Sequence, residues 1–152
     1  MPKYHTATGL VFNEKNKILL IKHKRHGVWM PPGGQLEEGE LPHEAMLREV
    51  LEETGLNVEI ISLKQGIASP YSIELPRPFV VNLVDSKHEG NFDLLDYMYL
   101  CRAFGNEMLR PSAEETDAIG WFCREQFQNM ETFEDVAQIV AAAFEFMENF
   151  DT

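Results

Sequence analysis

From Gly34 to Leu56 the chain places two glycines, one arginine and four glutamates in a fixed order: Gly34, five residues, Glu40, seven residues, then Arg48-Glu49-Val50-Leu51-Glu52-Glu53-Thr54-Gly55-Leu56. The stretch opening near Leu41 predicts a helix, because Pro42 suits a first turn and Gly55 suits the position just past a last one. Glu49, Glu52 and Glu53 then stand at i, i+3 and i+4 and crowd one side of that helix. Like charges so placed repel unless a cation sits among them. Leu47, Val50 and Leu51 are expected on the other side as the packing face.

Around this helix the pattern is mostly β. Tyr4 to Phe12 alternates, Asn13-Glu14-Lys15-Asn16 is turn chemistry, and Lys17 to Lys22 is an apolar run, which together predict a hairpin. Trp29-Met30-Pro31-Pro32-Gly33-Gly34 predicts a loop. Further strands are expected over Val58 to Ile67, Phe79 to Asp85, Tyr97 to Phe104 and Ala118 to Cys123. Thr132 with Asp135 resembles a capping box that opens a second amphipathic helix through Val136, Val140, Ala143, Phe144 and Met147 to about Asn149. Strands mixed with two principal helices predict an α/β fold with a mixed sheet covered on both faces. The segment Ser69 to Pro78 is expected to be a long loop at the rim of a site.

A length of 152 residues fits one domain over 1–152. Neither the apolar runs nor the N-terminus has the length of a membrane span or the core of a signal peptide, so a soluble cytoplasmic protein is expected. Cys101 and Cys123 lack partners spaced for zinc or redox chemistry and read as free thiols. The net charge of −12 argues against nucleic-acid binding, which calls for a basic surface. It leaves room for a phosphate-bearing small molecule, because a bound cation reverses the local field.

Three helix carboxylates after a Gly-Gly turn offer oxygen ligands to Mg2+ or Mn2+, and magnesium characteristically binds substrate phosphates at the same time. Gly33 and Gly34 let the backbone come close, with a carbonyl oxygen as a further ligand. Arg48 can hold a carboxylate through two parallel hydrogen bonds, with Glu40 as its partner. A glutamate pair alone is ordinarily a solvated face. Nine specified positions matched over twenty-three residues are a different matter.

The segment resembles the Nudix box, G-x5-E-x7-R-E-U-x-E-E-x-G-U with U aliphatic, at every specified position. The approach from Trp29 to Gly34 and the strand around Gly120-Trp121-Phe122 are similar to the same family. The resemblance implies the Nudix fold, an α/β/α sandwich, and a MutT-like hydrolase that cleaves the diphosphate linkage of a nucleoside diphosphate derivative. It implies Glu49, Glu52 and Glu53 as metal carboxylates with Gly33 as a backbone ligand. Arg48 and Glu40 become supporting residues, and Glu49 or Glu52 a proton acceptor.

A carboxylate outside the box is also implied, with Glu115 the first candidate and Glu89, beside the loop residue His88, the second. Trp29, Tyr71, Phe79 and Tyr97 are candidates to stack on a base, and Lys22, Arg25, Arg77 and Arg102 to meet phosphates. Pro70 stands fifteen residues after Gly55, a spacing similar to Nudix enzymes that cleave ADP-ribose. Nucleotide sugars belong to the same substrate class. The competing readings are pyrophosphate release from a nucleoside triphosphate, including oxidised ones, and a silent nucleotide-binding sensor domain. An isopentenyl diphosphate isomerase shares the fold but needs an acidic cysteine that neither Cys101 nor Cys123 provides. Nudix relatives are often dimers, so a homodimer is expected.

Overall fold

The computed structural model describes residues 1–87, 89–105 and 108–150. Strands β1 (Lys3–Phe12) and β2 (Ile18–His23) form the expected hairpin, closed at Phe12 opposite Ile18. The turn is locked by Asn13, whose side-chain oxygen accepts the amides of Lys15 and Lys17, both at 3.0 Å. Beyond that pair the two strands diverge, and the segment expected to be an irregular loop fills the gap. β3 (Trp29–Met30) pairs with β2, and β4 (Gly33–Gln35) pairs with β1, Thr8 facing Gly33 and Ala7 facing Gly34. Between them Pro31 and Pro32 break the ladder, since proline has no N–H to donate. The Pro32 carbonyl nevertheless accepts the Gly9 amide at 2.9 Å.

The chain continues through α1 (Pro42–Thr54), β5 (Val58–Ile60), a small outlying hairpin of β6 (Ala68–Ser69) and β7 (Ser72–Ile73), β8 (Val80–Asp85) and β9 (Asp93–Ala103). It ends with β10 (Thr116–Phe122), one turn of α2 (Arg124–Phe127) and α3 (Glu134–Phe150). The main sheet runs β10-β2-β1-β9-β5, and β8 adds to the outer part of β9. It is mixed, because β1 and β9 are parallel over ten residue pairs from Lys3–Asp93 to Phe12–Arg102 while the other pairings are antiparallel.

Side-chain alternation along the central strands builds two cores. Ala7, Val11, Leu19, Tyr99 and Cys101 pack with Ala45, Met46 and Val50 of α1. Leu10, Phe12, Ile18, Leu20, Met98 and Leu100 pack with Val136, Ile139, Val140, Ala143, Phe144 and Met147 of α3. The result is the expected α/β/α sandwich with two principal helices. Helix α1 lies so close to β1 that a Cβ on Gly9 would meet Val50 Cγ2 at 2.8 Å.

The ends of α1 follow their sequence signals. Glu44 reaches back to accept the Leu41 amide at 2.9 Å. Gly55 adopts φ 79° and donates its N–H to the Leu51 carbonyl at 2.8 Å, a left-handed cap that disfavours a side chain. The start of α3 differs from expectation. The Thr132 hydroxyl is taken up by the Trp29 carbonyl at 2.6 Å instead of capping, and the helix starts two residues later. That bond, with the Trp29 amide donating to Glu131 at 3.0 Å, ties β3 to the head of α3.

The buried side of α1 also departs from the simple wheel. Leu51 is 46% exposed, whereas Glu53 is only 4% exposed and lies with Ala45, Met46, Val50 and Thr54 on the buried side. The acidic face is therefore the margin of the packed face and not its opposite. The reason is tertiary: β4 folds over this edge of the helix and covers Glu53.

Candidate functional site

Arg48 organises the acidic helix. Its Nε donates to Glu40 Oε2 at 2.7 Å and one terminal nitrogen to Glu40 Oε1 at 3.0 Å, the bidentate fork of a guanidinium on a carboxylate. The other terminal nitrogen donates to Glu49 Oε1 at 2.8 Å and to Glu52 Oε2 at 3.3 Å. The fork also reaches the Gln35 carbonyl at 3.1 Å, which fastens α1 to β4. Hydrogen bonding to Arg48 is the main cause that holds the Glu40 carboxyl below its usual range, and the same pair raises the guanidinium.

Glu49 and Glu53 approach one another beneath Gly33 and Gly34. A Cβ on Gly34 would meet all three atoms of the Glu49 carboxyl within 2.8 Å. Burial, followed by the hydrogen bond to Glu49 and its charge, pushes the Glu53 carboxyl up, opposed by the Gly33 amide that donates to it. Glu53 Oε2 is buried without a hydrogen-bond partner. An orphaned buried acceptor next to a second carboxylate is costly in an apo protein and is relieved by a cation.

Glu115 comes to the same place from the far end of the chain. The Arg110 amide donates to the Thr54 carbonyl at 2.7 Å and the Ser112 amide to the Glu53 carbonyl at 3.3 Å, so the segment before β10 is laced onto the end of α1. The charge of Glu115 is felt at Glu53 and raises it further. These oxygens fit a hard divalent cation in kind: four carboxylates and a glycine-lined approach. Glu49 and Glu52 both turn to Arg48, and among the described residues no three acidic, His or Cys side chains already surround one point.

A cleft of about 400 Å³ opens from this cluster. Gly33, Gly34 and Glu53 line one end, Thr6, Thr8 and Asp96 lie along it, and His23, Arg25, His26, Glu89 and Phe92 line the rest with Ile21, Met30, Pro31 and Leu94. Arg25 thus reaches the cleft, paired to Glu89 at 3.6 Å, with His26 on the same carboxylate at 3.7 Å. Glu89 lies on the cleft wall with Arg25 and His26, while Glu115 is the outlying carboxylate whose charge is felt at Glu53. His88 lies outside the described residues.

The other expected substrate groups are not gathered here. Trp29 packs edge-on against Phe122, ring centroids 5.0 Å apart, in the core under α3. Lys22 is half-buried in β2, opposite Trp29 and Ala118, and does not line the cleft. Tyr71 is 98% exposed on the β6–β7 hairpin, and Arg77 is exposed with its amide bound to Ser62 Oγ at 2.6 Å. Neither lines the cleft, nor does the segment Ser69 to Pro78 as a whole. Phe79 packs against Phe146, Tyr97 stacks on His5, and Arg102 binds the Asn13 carbonyl at the hairpin turn. Asp96 is the residue that the sequence reading missed. It is a single carboxylate in a half-buried strand, and no local spacing sets it apart.

The sheet order, the two helix layers and the acidic helix under a Gly-Gly strand define an α/β/α sandwich that presents a cluster of carboxylate oxygens at one edge of its sheet. The NUDIX domain model matches residues 3–144, and the chain belongs to that family. A putative 8-oxo-dGTP diphosphatase of Bacillus subtilis is 47% identical over 58 residues, 38% of each chain. An ADP-ribose pyrophosphatase of Methanocaldococcus jannaschii is 42% identical over 77 residues, 49% of this chain and 44% of that protein. The matches therefore span less than half of these two curated relatives. The crystal structure of a NUDIX-family hydrolase from Clostridium perfringens superposes with a TM-score of 0.80 at 24% identity, covering 97% of this chain and 99% of that one, which establishes the shared fold.

Proposed function

We propose that the protein is a Mg2+-dependent, or Mn2+-dependent, Nudix hydrolase that cleaves a phosphoanhydride bond in a nucleoside diphosphate derivative such as ADP-ribose or a nucleotide sugar. The observation that carries this reading is the buried Glu53 carboxyl, one oxygen unpartnered, pressed against Glu49 under a glycine pair that leaves no room for a side chain. Glu49, Glu52 and Glu53, the Gly33 backbone and Glu115 would hold the metal. When bound there, the ion supplies positive charge that offsets the phosphates and polarises the scissile P–O bond.

The chain's own residues do the rest. Arg48 fixes the direction of Glu49 and Glu52, and Glu40 fixes Arg48. Glu52 is 59% exposed at its side chain and Glu49 16%, so Glu52 is the freer to take a proton from the attacking water, with Glu49 as the alternative acceptor. Arg25 on the cleft wall is placed to meet substrate phosphate, and its pairing with Glu89 would have to yield.

A second reading, release of pyrophosphate from a nucleoside triphosphate such as an oxidised one, is favoured by the relatives named 8-oxo-dGTP diphosphatase. The ADP-ribose reading has the Methanocaldococcus relative in its favour, while the Pro70 loop that first pointed to it stands away from the cleft. Product analysis separates them: inorganic pyrophosphate from a triphosphate against a nucleoside monophosphate and a phosphorylated remainder. The full set of carboxylates disfavours a silent sensor.

The same reading takes residues 1–152 as one domain that works in the cytoplasm on a small molecule, with no nucleic-acid or membrane partner. No described helix is long and apolar enough to cross a membrane. The expected homodimer is checked by light scattering on the purified chain.

A further inference from the structure

Gly33 is held against β1 by packing and not by its own hydrogen bonds. It faces Thr8 across the β1–β4 ladder, and the Gly9 amide donates past it to the Pro32 carbonyl at 2.9 Å. That pattern makes Thr8 and Gly33 a non-hydrogen-bonded pair, in which the two backbones come closest and the N–H and C=O of Gly33 point away from β1. The amide turns to Glu53, and the carbonyl is the backbone oxygen proposed for the metal. What lies beneath Gly33 is the Thr8 side chain: a Cβ on the glycine would stand 2.7 Å from Thr8 Oγ1 and 2.9 Å from Thr8 Cα. The hydroxyl therefore sets the height at which Gly33 rides.

Thr8 can offer either of two groups to that contact, because its Cβ carries a hydroxyl and a methyl. Asp96 decides which one is offered. It lies on β9 in register with Thr6, and both its oxygens accept from the Thr8 hydroxyl, at 2.9 and 3.2 Å. Burial pushes the Asp96 carboxyl up, opposed by the bond from Thr8 and to a lesser degree by one from Thr6. A carboxyl held from two sides is an anchor for β1. Without it the Thr8 methyl, larger than a hydroxyl oxygen, could turn under Gly33 and lift it.

We propose that Thr8 and Asp96 are positioning residues for the metal site: Asp96 turns the Thr8 hydroxyl under Gly33, and that contact holds the Gly33 backbone where it serves Glu53 and a divalent cation. The inference rests on the metal-dependent reading, and both residues act through Gly33. The experiment is calorimetric titration of the metal-free full chain with Mn2+ in the absence of nucleotide, with melting temperatures alongside. Thr8→Val keeps the branched shape and puts a methyl under Gly33. Its Mn2+ affinity should fall by about tenfold to a hundredfold, the usual cost of disturbing a group behind a metal ligand. Thr8→Ser keeps the hydroxyl and Asp96→Asn keeps an acceptor oxygen for it, so both should bind Mn2+ close to the parent.

A folded Thr8→Val protein with the parent's Mn2+ affinity overturns the proposal. So does an Asp96→Asn or Thr8→Ser protein that loses as much affinity as Thr8→Val, because a retained hydrogen bond should rescue positioning but would not rescue a lost charge or a loosened strand. If Thr8→Val does not fold, Asp96→Leu, which leaves Thr8 without its acceptor, takes its place with the same expected loss. Failure of the parent itself to bind Mn2+ removes the metal-dependent reading and this proposal with it, whereas parent binding beside an unaffected Thr8→Val removes this proposal alone.

Discussion

The carboxylate of Glu49 occupies the space where a side chain on Gly34 would stand: a Cβ there would lie 2.5 Å from Glu49 Cδ and 2.6 Å from Oε1. A strand residue and a helix residue fifteen positions apart thus share one volume. The glycine is needed for close approach, and what it approaches is a functional group at the end of a flexible side chain.

Gly34→Ala should therefore spare the fold and damage the site. Glu49 can swing away at small cost, so the loss of stability should stay near or below 1 kcal/mol. Hydrolysis should fall by about two decades, the scale of losing one well-placed electrostatic group. Urea denaturation and steady-state kinetics on the same sample check this. A variant with full activity would show that Glu49 need not stand where it does.

Glu53→Gln should abolish most activity, by about two decades or more, yet stabilise the metal-free protein at high pH. The sign follows from linkage. The Glu53 carboxyl is raised from its ordinary 4.5 to about 9, so its favourable contribution is whole below about pH 4.5 and is lost as pH rises towards 9. Melting temperatures of the two proteins, measured in EDTA, should diverge across that window with the variant the more stable at pH 8. Addition of Mg2+ should stabilise the parent more than the variant.

Arg48→Lys keeps the charge and loses the fork. A lysine cannot hold Glu40 bidentately while reaching Glu49, Glu52 and the Gln35 carbonyl, all of which Arg48 does. Turnover should drop by about tenfold to a hundredfold, the usual cost of losing a residue that orients metal ligands. A shift in the Mg2+ concentration for half-maximal rate distinguishes this from general destabilisation.

Glu115→Gln should act on metal affinity more than on turnover, because Glu115 is exposed and reaches the cluster from the β10 approach. The half-saturating Mg2+ concentration is expected to rise by about tenfold, with a smaller change at saturating metal. Glu89→Gln, at a carboxylate paired with Arg25 and His26, should leave metal dependence alone. The reverse ranking would make Glu89 the outlying ligand.

Much of the fold was legible because its signals are local. The hairpin turn at Asn13 to Asn16, the Pro42 and Gly55 ends of α1, and the 3.6-residue period of α3 each act within a few residues, and each is found where the pattern placed it. The Pro-Gly stretch was harder. Its two short strands exist only because β1 and β2 diverge and leave their edges open to β3 and β4. The Thr132 hydroxyl followed the same logic, taken by a carbonyl over a hundred residues away in place of its own helix.

The order Gly34, Glu40, Arg48, Glu49, Glu52, Glu53 by itself determined the family and the presence of an acidic helix, because residues within one helix and the loop before it have relative positions set by helical geometry. Tertiary structure decided which of those glutamates is buried and brought Glu115 to it. It also sent Trp29 into a core and left Tyr71 in solvent. It laid Asp96 beside Thr8 across a separation of 88 residues. Those outcomes depend on which strands pair and what covers them, and side-chain environment made by long-range pairing is not encoded in any short window of sequence.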